Sequence, residues 1–115
     1  MEKTTLNIVN IVGDSFCVEA DDGNKVYKLL NKALLEGKPV TLSFLNVEML
    51  TTAFLNTAIG QLYRDFDESI IKEKLAVENM TQSGLVSLKR VVDTAKLYYK
   101  DPDAMQRSIN EILGD

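Results

Sequence analysis

Val40 to Tyr63 reads VTLSFLNVEMLTTAFLNTAIGQLY, and its periodicity changes midway from that of a strand to that of a helix. Val40, Leu42 and Phe44 alternate with Thr41, Ser43 and Leu45, the two-residue repeat of extended chain. Leu45 and Val47 make the second face partly apolar as well, so an interior strand lying between helices is expected. From Thr51 or Thr52 the repeat lengthens, and Leu55, Ala58, Ile59, Leu62 and Phe66 fall on one helical stripe. No carboxylate lies between Thr51 and Leu55, while the amides at a helix start are unpaired and partly positive. A phosphate or a partner's carboxylate would therefore be tolerated there. Threonine is also an ordinary capping residue, which explains Thr51 or Thr52 without any ligand.

Upstream, Val26, Leu29, Leu30, Ala33 and Leu34 give a helical face, with Asp21 or Asp22 available to cap its start and Gly37 and Pro39 to end it. Before that, Leu6 to Val12 and Phe16 to Val18 read as two strands joined at Gly13-Asp14, an antiparallel hairpin. Downstream, Asp65-Phe66-Asp67-Glu68 breaks the helix, Ser69 to Lys74 is a short helical turn, and Leu75 to Met80 reads as a strand. Gly84 precedes a third long helix with Leu85, Leu88, Val91, Val92 and Ala95 inward, Lys89, Arg90 and Lys96 in water, and Tyr98 and Tyr99 at its end. Asp101-Pro102 opens a last amphipathic helix carrying Met105, Ile109, Ile112 and Leu113. Strands alternating with helices make an α/β domain whose sheet is parallel in part, and residues 1–115 are expected to form one domain.

Composition narrows the chemistry. With 115 residues and 45% apolar content, one core is affordable and two are not. The chain has no histidine, which removes triads of the Ser-His-Asp type and the usual zinc sites. Its single cysteine, Cys17, excludes an internal disulfide and reads as a small buried group. A net charge of −4 opposes general nucleic-acid binding. The longest uncharged run, Met49 to Tyr63, is too short and too polar to span a bilayer, so a cytoplasmic domain without a membrane role is expected. The glycines are scattered and form no phosphate loop, and no cofactor is expected. Asp65, Asp67, Glu68, Glu73 and Glu78 lack the offsets of a calcium loop and read as solvated carboxylates. Met49, Met80 and Met105 read as core filler, although Met49-Leu50 beside the helix start would also make a soft apolar contact for a partner.

The segment from Val40 to Tyr63 resembles the central strand and following helix of STAS domains, the fold of anti-sigma-factor antagonists. The resemblance lies in the strand ending Leu45-Asn46-Val47, the hydroxyl pair Thr51-Thr52, Phe54-Leu55-Asn56, and Ala58-Ile59-Gly60-Gln61-Leu62. It implies a STAS-like sandwich with a four-stranded mixed sheet and about four helices. It further implies a non-catalytic interaction or regulatory module whose protein partner is a histidine-kinase-like ATPase or a related sensor. Phosphorylatable members open this helix with Asp-Ser-Ser-Gly and modify the second serine. Laid down without a gap, that motif falls on Thr51, Thr52, Ala53 and Phe54, which puts Ala53 at the acceptor position; a one-residue shift puts Thr52 or Thr51 there. The partner-binding candidates are thus Asn46, Glu48, Met49, Leu50, Thr51, Thr52 and Ala53, with Thr52 and Thr51 the phosphorylation candidates. A switched regulator is the alternative reading, and a small carboxylate-dependent enzyme a third. Because Tyr98 to Asp101 leaves no room for a further strand, the sheet should end at an edge that Met105 to Leu113 covers or that a second copy of the chain pairs with, as a homodimer.

Overall fold

The computed structural model describes residues 4–100. Along the chain they form β1 (Thr4–Asn7), α1 (Ile8–Val12), β2 (Phe16–Cys17), α2 (Ala20–Leu35), β3 (Val40–Ser43) and β4 (Met49–Leu50). There follow α3 (Thr52–Leu55), a π-helical turn (Asn56–Gly60), α4 (Leu62–Asp65), α5 (Glu68–Lys74), β5 (Leu75–Glu78) and α6 (Gln82–Lys100). The period change within 40–63 is therefore a real boundary, with the strand ending at Ser43 and the helix opening at Thr52.

Strand β3 is the centre of a three-stranded parallel sheet ordered β1-β3-β5, in which Leu42 faces Leu6 on one side and Val77 on the other. All of its residues are buried, as an interior strand requires. β2 and β4 form a separate parallel pair. The expected four-stranded mixed sheet is thus replaced by two parallel sheets among the described residues. The hairpin is also absent, because Asn7 ends β1 and accepts a hydrogen bond from the amide of Asn10 at 3.3 Å, capping α1. Ile8, Ile11 and Val12 then lie at helical spacing, and Gly13 at φ +82° closes the turn. The reading of Leu6 to Val12 as one strand missed that asparagine cap.

The core gathers Val26, Leu30 and Leu34 from α2, Phe54, Leu55, Ala58, Ile59 and Leu62 from the helical run, and Val91 from α6. Helix α2 begins at Ala20 behind Glu19, so Asp21 and Asp22 sit in its first turn, where they complement the helix dipole and do not cap it. Leu29 is exposed at the edge of the expected stripe. At the other end, Gly37 at φ +70° donates to the Leu34 carbonyl at 3.0 Å while Lys38 donates to that of Ala33 at 3.0 Å. This paired closure satisfies two terminal carbonyls and turns the chain into β3.

The π turn has a local cause. The Gln61 amide bonds back five residues to the Asn56 carbonyl at 3.2 Å, and the Thr57 carbonyl it leaves receives the Gln61 side-chain amide at 2.8 Å. Leu55, Ala58, Ile59 and Leu62 are buried as the stripe requires, and Phe54 beside Leu55 is buried with them. Helix α6 starts two residues before Gly84, with Thr81 accepting from the Gly84 amide at 3.0 Å. Val91 and Ala95 are buried as expected, but Leu85 is exposed. β5 stops at Glu78, short of Met80, since Asn79 turns left-handed at φ +62°. The expected helix from Asp101-Pro102 through Leu113 lies outside the described residues.

Candidate partner-contact site

Because β3 and β5 run parallel, the chain leaves both at the same end of the molecule. After β3, Asn46 at φ +66° makes a tight turn in which the Val47 amide donates to the Phe44 carbonyl at 3.1 Å. Asparagine tolerates this left-handed geometry through its short polar side chain. Leu45, expected on the strand, is lifted into the turn and half exposed. Ser43 ties the two strand ends together, accepting from the Asn79 side-chain amide at 3.1 Å and the Leu45 amide at 3.3 Å.

The next stretch is held by β2. Ser15 donates its hydroxyl to a Glu48 carboxylate oxygen at 2.6 Å and accepts the Glu48 amide at 2.9 Å. Phe16 then lies opposite Met49 and Cys17 opposite Leu50. Alternation along both strands turns Cys17 inward and Leu50 partly so, while Phe16 (49% exposed) and Met49 (52%) face water side by side. Met49 is a surface residue, not core filler.

Thr51 caps the helical run. Its hydroxyl accepts from the Phe54 amide at 3.2 Å and donates to the Val18 carbonyl at 2.9 Å, so both its proton and a lone pair are used. Thr52 and Ala53 are exposed on the first turn, which carries no acidic residue. Thr52 makes no side-chain hydrogen bond with the described residues. A phosphoryl group on Thr51 would have to break the bond to Val18 and disturb the cap, whereas one on Thr52 would project into water.

A groove of about 350 Å³ runs between the 44–50 stretch and the first turns of α6. Phe44, Val47, Met49, Leu50 and Met80 make its apolar side, Glu48 stands on its rim, and Asn79, Thr81, Ser83 and Ser87 line the side toward α6 with polar groups. Of the sequence candidates, Glu48, Met49 and Leu50 line this groove, while Asn46, Thr51, Thr52 and Ala53 do not. Phe16, Met80 and the Thr81 cap were not singled out as contact residues. The Thr81 signal was available, since a hydroxyl residue three positions before Gly84 is a helix-cap spacing.

The other carboxylates have local partners. Asp65 accepts from Arg64 Nε at 3.0 Å and Asn31 Nδ2 at 3.1 Å, and also from the Tyr27 hydroxyl. Burial pushes its carboxyl up, but the Arg64 and Tyr27 hydrogen bonds outweigh that and hold it below the ordinary carboxylate value. Glu68 pairs with Lys96 at 2.8 Å, so Lys96 is less free in water than expected. Among the described residues no group of three or more cysteines or carboxylates is arranged to hold a metal ion, and no helix is long and apolar enough to cross a membrane.

A family model described as STAS-like domain of unknown function (DUF4325) matches residues 22–85. No curated protein and no solved structure matches the chain. The matched span runs from the first turn of α2 through β3, the 44–50 stretch and the capped helical run to the start of α6, so it contains every groove-lining residue except Ser87. The chain belongs to this family of STAS-like domains.

Proposed function

We propose that the domain is a non-catalytic interaction module with a regulatory role, and that it grips a partner protein with the end formed by Asn46 to Ala53. The observation that carries this reading is the adjacency of Phe16 and Met49, both about half exposed, beside a groove with an apolar side of Phe44, Val47, Met49, Leu50 and Met80. Isolated surface apolar residues are ordinary, but a cross-strand pair continuous with a groove is the usual composition of a protein-contact patch. A rigid frame supports it, because Ser43 and Ser15 fix the 44–50 stretch from two sides, and a preorganised surface loses little entropy on binding. A histidine-kinase-like ATPase is the partner class the STAS-like membership favours.

A photo-crosslinking amino acid placed at Met49 tests the surface, with the same group at exposed Leu35, at the far end of α2, as control. Adducts with the partner are expected from position 49 and not from 35. Adducts from 35 alone would overturn the assignment.

A second reading, supported by the exposed Thr52 hydroxyl on an acid-free first turn, makes the module a phosphorylation-switched regulator. A phosphate there adds nearly two negative charges at the contact surface, enough to release an acidic partner or recruit a basic one. Intact-mass measurement after incubation with a partner ATPase should give one phosphoryl addition that Thr52→Val abolishes and Thr51→Val spares. An unchanged mass with active kinase would remove this reading.

A further inference from the structure

The groove end has a consistent charge. Residues of 44–50 and 79–87 line it, and the chain segments that lead into and support them are 13–19 and 44–53, joined through β2 and β4, and 75–88, joined to the β3 end through Ser43 and Asn79. They carry Asp14, Glu19, Glu48 and Glu78 and contain neither lysine nor arginine. The described cations that flank these stretches in sequence each have a carboxylate partner: Lys25 with Asp22 at 3.2 Å, Lys38 with Glu36 at 2.8 Å, Lys74 with Glu73 at 3.7 Å and Lys89 with Asp93 at 3.0 Å. Glu48 is the one charged residue in the groove lining, so an acidic ligand would meet a carboxylate there with no cation to offset it, and a neutral one would leave it unused.

We infer that the groove receives a basic, apolar segment of the partner protein: a bulky aliphatic or aromatic side chain seated among Val47, Met49, Leu50 and Met80, with a flanking lysine or arginine against Glu48. This rests on the reading that this end is the contact surface and adds the chemistry of what it contacts. Apolar burial supplies the anchor, and the carboxylates steer approach and select against acidic segments. Glu48 is suited to this because its Ser15 bond occupies one oxygen and holds the carboxylate on the rim.

A random peptide library displayed on phage, panned against the full chain, tests the inference. Enriched peptides, resynthesised and titrated into isotope-labelled protein, should combine a large apolar residue with lysine or arginine and shift the amides of 44–50 and 80–87. Glu48→Lys should weaken their binding by about tenfold, as replacing an attraction by a like-charge contact at a rim does. Binding should also weaken as salt is raised. The amide spectrum of the variant checks that it is folded, and Glu78→Lys gives a second reading of the charge dependence. Peptides without basic residues that nonetheless map to 44–54 would overturn this inference and leave the contact surface standing. Peptides mapping to another face would overturn both, and no enrichment at all would count against the groove as a peptide site.

Discussion

The Cys17 thiol reports how tightly the contact end is built. It is fully buried on the inward side of β2, opposite Leu50, and burial first, then the nearby charges of Asp22 and Asp14, push its pKa from 9.0 to about 11. At pH 8 both access and ionisation then oppose alkylation, the thiolate fraction alone by on the order of a hundredfold. Iodoacetamide should leave the native chain unmodified over a time in which the urea-unfolded chain is fully labelled. Because the folded value is the higher one, the neutral thiol favours the folded state, and that contribution fades as pH rises from 9.0 toward about 11. Equal labelling rates in both states would mean that the β2–β4 pair opens freely, and the contact surface would lose its frame.

Between elements, α2 comes close to the capped helical run at Gly23. A Cβ built there would stand 2.6 Å from the Phe54 carbonyl oxygen and 3.0 Å from the Thr57 Cβ, so α2 and the capped helical run touch backbone to backbone. Gly23→Ala gains about 1 kcal/mol in helix propensity. Relieving a contact with rigid backbone costs about 1–3 kcal/mol, so net destabilisation is expected. It should appear as a lower Tm together with shifted amides at 51–54, since α3 must move away. A raised Tm would show that the helices have slack. Sequence spacing marked Gly23 only as part of an acidic turn, because a close crossing is set by a partner more than thirty residues away. What the sequence did carry was local: the β3 period, the Thr51 cap, the Gly37 stop and the stripe through Leu62 all follow from neighbours within a turn or two. The parallel pairing of β2 with β4, the Asn7 cap that shortens β1, and the α6 wall of the groove each depend on contacts remote in the chain or on a choice between two local patterns. Thr51 and Met49 were therefore legible as site candidates, whereas Phe16 and Met80 became so only once their neighbours were in place.

Over the whole molecule, stability and contact lie at opposite ends of one helical run. From Thr52 to Asp65 is about 20 Å at 1.5 Å per residue. At the far end Asp65 gathers Tyr27 and Asn31 from α2 and its neighbour Arg64, whose guanidinium also donates to the Tyr27 oxygen at 2.9 Å, so the cluster clamps α4 to α2. The Asp65 carboxyl is held below its ordinary value, so its stabilisation is fully present above the unfolded value of about 3.9 and is lost as pH falls through the folded one. Half of the Arg64 side chain is in water, and solvent screening limits the clamp to on the order of 1 kcal/mol. Asp65→Asn should therefore lower Tm by a few degrees at pH 7, with the difference from the parent chain shrinking as pH is taken down to about 2. A difference that held constant with pH would mean that shape, and not charge, makes the clamp. The same variant should bind partner or peptide with unchanged affinity at pH 7, because the groove is lined by residues of 44–50 and 79–87, whereas the Asp65 side chain bonds Tyr27, Asn31 and Arg64.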